Sequence, residues 1–182
     1  MGLVGVAMVL LLAGPAAPGG EQFHGVVVDA GTKAPLVDAV VVAVWLRRPI
    51  IRMNGPAYFH DVKETLTDVR GAFSLDASPR IDWSPFTSVA PPQVVIRAPG
   101  YLEFPLGYER LRRVAPDAWW AADDALRKRA RVVVELPRLR TADELRVFAG
   151  PAGELLPVPA DHMPHYMWLV NRTRIELGLE PL

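Results

Sequence analysis

The chain contains no cysteine. That removes disulfides, thiolate metal sites and cysteine nucleophiles together, and it speaks against a lipid-anchored lipoprotein, which needs a cysteine after its leader. Charge of either sign is not in excess. Twenty Lys and Arg balance twenty Asp and Glu, so the chain as a whole has no general pull toward nucleic acid or an anionic membrane. No G-x-S-x-G, Walker loop or dinucleotide fingerprint occurs, so the common signatures of acyl transfer, phosphoryl transfer and hydride transfer are missing. The 18 prolines leave little room for long helices and favour loops and edge strands.

What is present is a core. Hydrophobic residues make up 51% of the 182 and charged residues 22%, which suits one packed domain with attachments. Residues 1–20 carry no charged side chain, and 3–13 is an almost unbroken apolar run. The run is short for a bilayer span, which takes about 20 apolar residues, but it fits the apolar region of a secretory signal. Gly14-Pro-Ala-Ala17 offers small residues for cleavage, although no Lys or Arg precedes the run. The expectation is an exported protein, periplasmic or secreted, with no stable membrane span in its mature part.

From residue 21 the pattern is β. Strands are expected over 22–29, 39–46, 64–67, 72–75, 93–97, 101–106 and 131–136. Asp68-Val-Arg-Gly71 reads as a hairpin turn, with Asp accepting backbone N–H groups and Gly taking the positive φ. The strand over 39–46 is apolar on both faces, Val40, Val42, Val44 and Leu46 against Val41, Ala43 and Trp45, so it must be covered on both sides. Residues 47–60 read as a long loop, and 77–92 as an ordered loop packed by its own Trp83 and Phe86. A helix is expected over 117–130. Thr141-Ala-Asp-Glu144 matches a capping box for a short helix through Phe148, and 161–177 reads as a second helix stopped by Gly178. These last two helices are candidates for the missing cover or for docking a partner. The expected units are a signal over 1–20, a sandwich over 21–137 and a helical extension over 138–182.

Four segments resemble the carboxypeptidase regulatory-like family: Phe23-His-Gly-Val-Val-Val-Asp29, Thr32-Lys-Ala-Pro-Leu-Val-Asp-Ala-Val40, Thr67-Asp-Val-Arg-Gly-Ala-Phe73 and Val94-Val-Ile-Arg-Ala-Pro-Gly-Tyr101. They follow the family's order of a G-x-V-x-D strand, a proline turn, a T-D-x-x-G-x-F hairpin and a late G-Y, over about residues 23–106. The resemblance implies a mainly β fold, a seven-stranded transthyretin-like (Greek-key) β-sandwich, with the C-terminal helices as an unmatched extension. It also implies an exported accessory role in folding, adhesion or carbohydrate binding.

Candidate chemistry is sparse. Trp119 and Trp120 are a candidate platform for stacking on sugars or an interfacial anchor, set against core duty. Tyr166 and Trp168 on the last helix are a candidate contact surface. His162 and His165, three apart on the expected helix, could begin a metal site, though two ligands do not complete one. The basic run 127–131 has acidic neighbours and no interleaved aromatics, so it reads as a solvated face, not a nucleic-acid site. The expectation is a non-catalytic binding or scaffolding module without a cofactor, its partner a cell-envelope glycan or another exported protein. The competing expectation is a metal-dependent enzyme built on His162 and His165.

Overall fold

The computed structural model describes residues 22–50, 56–104, 117–152, 155 and 157–182. Among these, seven strands make two sheets. In the first, β1 (Gln22–Asp29) lies between β4 (Ala72–Asp76), antiparallel, and β7 (Val132–Leu136), parallel. In the second, β2 (Val40–Pro49) is the spine. β3 (Tyr58–Leu66) runs antiparallel along one edge of it, while β5 (Thr87–Val89) and β6 (Gln93–Arg97) share the other edge end to end.

The alternation of β2 dictates how the rest is layered. Val41, Ala43 and Trp45 face inward and meet Val27, Phe73 and Ile96 between the sheets. Helix α1 (Asp117–Arg127) adds Trp119, Ala122 and Leu126 to this core, at the i, i+3, i+7 spacing of one helix face. The other face of β2 presents Val40, Val42 and Val44, all fully buried. Their cover is Leu155, Val158 and Met163 together with Tyr166, Leu169 and Val170 of helix α3 (Pro164–Glu176). Burying one valine contributes about 1.5–3 kcal/mol relative to leaving it in water, so removing this cover would expose several kcal/mol of apolar surface. The short helix α2 (Ala142–Val147) has its capping box in place at Thr141 and Glu144, but it buries no residue and is not part of that cover.

The turns form as their residues dictate. Asp68 Oδ1 accepts the backbone N–H groups of Arg70 at 2.8 Å and Ala72 at 2.9 Å, and Gly71 sits at φ 70°. Helix α3 ends in a Schellman arrangement, Gly178 N–H on Ile175 O at 3.0 Å and Leu179 N–H on Arg174 O at 2.8 Å, with Gly178 at φ 71°.

Several expectations are corrected. Residues 101–104 make no strand: Tyr101 and Phe104 each form one isolated bridge, to Arg138 and Ile96, and positions 105–106 lie outside the described residues. A bulge between Trp45 and Leu46 carries β2 on to Pro49, and β3 begins at Tyr58, so both ends of the expected 47–60 loop, 47–49 and 58–60, are strand, while positions 51–55 lie outside the described residues. The 77–92 segment contains β5. It is not packed by its own aromatics, since Trp83 is 86% exposed and Phe86 64%. Polar bonds hold it instead: Asp82 accepts from Ser84 N–H and the Thr87 hydroxyl, and Arg80 N–H donates to Asp61. Helix α1 stops at Arg127, three residues early, where Arg129 turns to φ 56°.

Candidate functional site

The expected site residues divide sharply by burial. Trp119 is core: its indole N–H donates to the Glu135 carbonyl at 2.6 Å and its ring meets Phe104 edge to face at 5.2 Å. Trp120, one position on and about 100° around the helix, is half exposed, so the pair makes no joint platform. Tyr166 is fully buried while Trp168 is 59% exposed. Two positions on a helix are about 200° apart, so these aromatics point to opposite faces and only Trp168 remains available for contact.

The two histidines are likewise separated. Pro164 begins α3, and Met163 before it is non-helical at φ −137°, ψ 60°, which leaves His162 in the short 3-10 turn Ala160–His162. His162 stacks edge-on against Phe59 at 5.3 Å. His165 lies at the helix start, where its N–H donates to Glu64 Oε1 at 2.8 Å. The shared helix that would have aligned the two rings therefore does not exist. Among the described residues no three His, Cys, Asp or Glu are grouped to hold a metal ion.

What α3 does create is a groove. Its outer side and the near end of the second sheet enclose about 640 Å³ between Val37, Leu66, Pro99, His165, Trp168 and Arg172. Glu64 fixes this geometry. Its carboxylate accepts from His165 N–H and, at 3.0 Å, from Tyr166 N–H, so an anion caps the positive end of α3 and ties it to β3. The Arg172 guanidinium lies 5.5 Å from the Trp168 ring and bonds Glu176 at 2.9 Å, holding the indole at the mouth. The flanks are mostly aliphatic, with Asp38, His165 and Arg172 as the polar points.

Beneath the helix lies a polar network that sequence reasoning missed. Arg97 and Glu103, both buried, pair at 2.7 Å. Arg97 also donates to the carbonyls of Phe148 at 2.5 Å and Gly150 at 3.0 Å. The Tyr166 hydroxyl donates to Glu103 at 3.0 Å and accepts the Ala152 N–H at 2.8 Å. Burial, reinforced by the Glu103 charge, pushes the Tyr166 phenol well above its ordinary range, so it stays protonated and acts as a tie, not as an acid or base. The available signal was one Arg and one Glu inside apolar runs, Val-Val-Ile-Arg97 and Leu-Glu103-Phe. A second missed cluster is Asp29 with Tyr101 and Arg138. The backbone N–H of Thr32, the Tyr101 hydroxyl and the Gly31 N–H together hold the Asp29 carboxyl at about 2.

No family model matches the chain, and no curated protein matches it. Among solved structures, an alternative pilotin from the type II secretion system of Vibrio cholerae is 18% identical, over 66% of this chain and 97% of that one, with a TM-score of 0.28. A likeness that weak assigns neither fold nor role.

Proposed function

We propose that this is an exported, non-catalytic binding module on a transthyretin-like sandwich of the carboxypeptidase regulatory-like kind, and that the Trp168 groove takes an apolar segment of another exported protein. The family reading gains support from the way its motifs meet. Asp29 of the G-x-V-x-D strand bonds Tyr101 of the late G-Y, and Gly71 of the hairpin accepts the Val27 N–H at 2.8 Å. Export rests on the uncharged apolar run at 3–13.

The observation that carries the binding reading is the exposed Trp168 over aliphatic walls. An aromatic anchor beside small apolar pockets with a polar rim is the usual composition of a protein contact. A sugar site would need more convergent hydrogen-bonding groups than the three polar side chains of this groove, Asp38, His165 and Arg172, the last already bonded to Glu176.

The test is a photocrosslinkable benzoylphenylalanine at position 168, expressed in producing cells, with Val133 of β7, 60% exposed, as the control. One dominant exported protein should be captured at 168, not at 133, and Leu66→Asp should abolish the product. Retention on envelope polysaccharide without protein capture would overturn the protein reading in favour of a glycan.

A further inference from the structure

The opposite end of the second sheet presents a different surface. Ile81, Trp83 and Phe86 are 70%, 86% and 64% exposed, and Ile50 and Tyr58 beside them are about half exposed. These are neighbours in space. Ile50 N–H donates to Phe86 O at 2.9 Å, Arg48 pairs with Ser88, and Arg47 pairs with both Tyr58 and Val89. Five exposed apolar or aromatic side chains on one edge far exceed the isolated ones that a soluble surface usually carries.

We propose that this end docks on an anionic bilayer surface, with Trp83, Phe86 and Ile81 entering the headgroup region and Arg47, Arg48 and Arg80 meeting lipid phosphates.

Charge placement favours lipid over a second apolar protein face. The three arginines of this end are exposed. Its carboxylates are engaged within the protein: Asp61 accepts Arg80 N–H at 2.7 Å and stands 3.9 Å from the Arg80 guanidinium, Asp82 accepts from Ser84 and Thr87, and Asp76 pairs with Lys63. Hydrogen bonds from Thr87 and Ser84 keep Asp82 ionised below its usual range, yet its charge is directed into the loop. Arg47 and Arg48 thus add exposed positive charge to this end although the whole chain is neutral. Arg side chains near an anionic surface are drawn to its phosphates, and Trp and Tyr favour the interface where an apolar body and a polar tip are both satisfied.

Chain geometry adds an independent argument. Gln22 pairs with Asp76, which leads directly into this loop, so the described chain enters the fold at the end bearing Trp83. Of the residues that precede it in sequence, 1–20 carry no charged side chain and Glu21 carries one. The apolar run 3–13 therefore joins the described chain, through residues 14–21, at the end that bears Trp83.

Absence of cysteine makes the test clean, because Trp83→Cys creates a single thiol for an environment-sensitive fluorophore such as NBD. Val69, 78% exposed on the turn at the far end of β3, serves as the control position. The full chain is mixed with vesicles of phosphatidylcholine alone or with a quarter phosphatidylglycerol. The label at 83 should shift to the blue and be quenched by brominated acyl chains with anionic vesicles, several-fold more than the label at 69. Arg47→Glu/Arg48→Glu should weaken vesicle binding by at least about tenfold. Phe86→Cys repeats the reading if the first variant folds poorly. A label at 83 as solvent-exposed as that at 69 on bound vesicles would overturn the proposal. So would a label already shielded without lipid, from residues 1–20 folding back or from a second copy.

Discussion

The carboxylate of Asp29 and the phenol of Tyr101, 72 positions apart in the chain, meet at 2.9 Å. Asp29 ends β1 and turns the following loop by accepting Gly31 and Thr32 N–H, each at 2.8 Å. Arg138, just past β7, donates to the same Tyr101 oxygen at 2.8 Å. One carboxylate thus joins the end of the first sheet, the turn after β6 and the segment after β7.

This carboxylate sets an acid limit on stability. Asp29 titrates at about 2 when folded, against 3.8 ordinarily, because the Thr32 N–H, the Tyr101 hydroxyl and the Gly31 N–H all favour its charged form. A depressed folded value means the stabilisation is fully present above the unfolded pKa and is lost as pH falls from about 4 toward 2. Asp29→Asn should lower the denaturation midpoint at pH 7 and flatten its decline between pH 4 and 2. A variant whose acid limb parallels the wild type would refute the assignment; urea melts across that range decide it.

The buried pair Arg97–Glu103 should behave as a unit. Removing one partner leaves the other charge desolvated, a cost of about 3–5 kcal/mol, whereas replacing both by apolar groups is far milder. Arg97→Met is expected to destabilise by that amount and Arg97→Met/Glu103→Leu by clearly less. Chemical denaturation of the single and double variants measures the difference. Arg97 also holds the carbonyls of Phe148 and Gly150, so the single variant should also speed amide exchange around residues 148–152.

Two aromatics on one helix should separate stability from recognition. Tyr166→Phe removes the hydroxyl that bonds Glu103 and Ala152, costing about 1–3 kcal/mol. The folded phenol is held protonated above its ordinary range, so wild-type stability should fall as pH climbs past 10, and the Phe variant should lack that alkaline decline. Trp168 belongs to neither buried cluster, so Trp168→Ala should change stability by less than about 0.5 kcal/mol while costing at least about 2 kcal/mol of partner affinity. Thermal melts at pH 7 and 10.5, beside binding to the partner captured at position 168, read both.

How far these features could be foreseen follows from their physical origin. β2 was legible because a strand with valines on one face and Val41, Ala43 and Trp45 on the other demands two covers, and α3 supplies the second. The Thr141–Glu144 capping box and the Asp68–Gly71 turn were legible because their chemistry is local. Tyr101–Phe104 misled because it alternates like a strand yet finds one bridge at each end. The sequence pattern starts β3 only at 64 because Asp61 and Lys63 break the apolar alternation before it, although pairing with β2 carries it back to Tyr58. Tyr166 and Trp168 stand two apart in sequence, and the helical turn sets them on opposite faces. The expectation that Trp83 and Phe86 pack follows from the usual burial of large aromatics, and only tertiary placement shows them outside.

Gly25, the first residue of the G-x-V-x-D motif, tests the sandwich most directly. It lies at the centre of β1, with Phe73 opposite on β4 and Val132 opposite on β7. A Cβ added there would stand 2.6 Å from the Phe73 ring and 2.7 Å from the Val132 carbonyl oxygen. The ring can turn only by disturbing the buried cluster it shares with Val27 and Leu75, and the carbonyl belongs to the backbone of the parallel partner strand. Overpacking of a filled core costs about 1–3 kcal/mol and more where backbone must move, so Gly25→Ala should fall at or above the top of that range. Gly31→Ala is the comparison, since its Cβ would approach only Asp29 Oδ1, at 3.3 Å. Equal urea midpoints for the two variants would mean that β1 is not clamped between β4 and β7, and the two-sheet arrangement would fall with it.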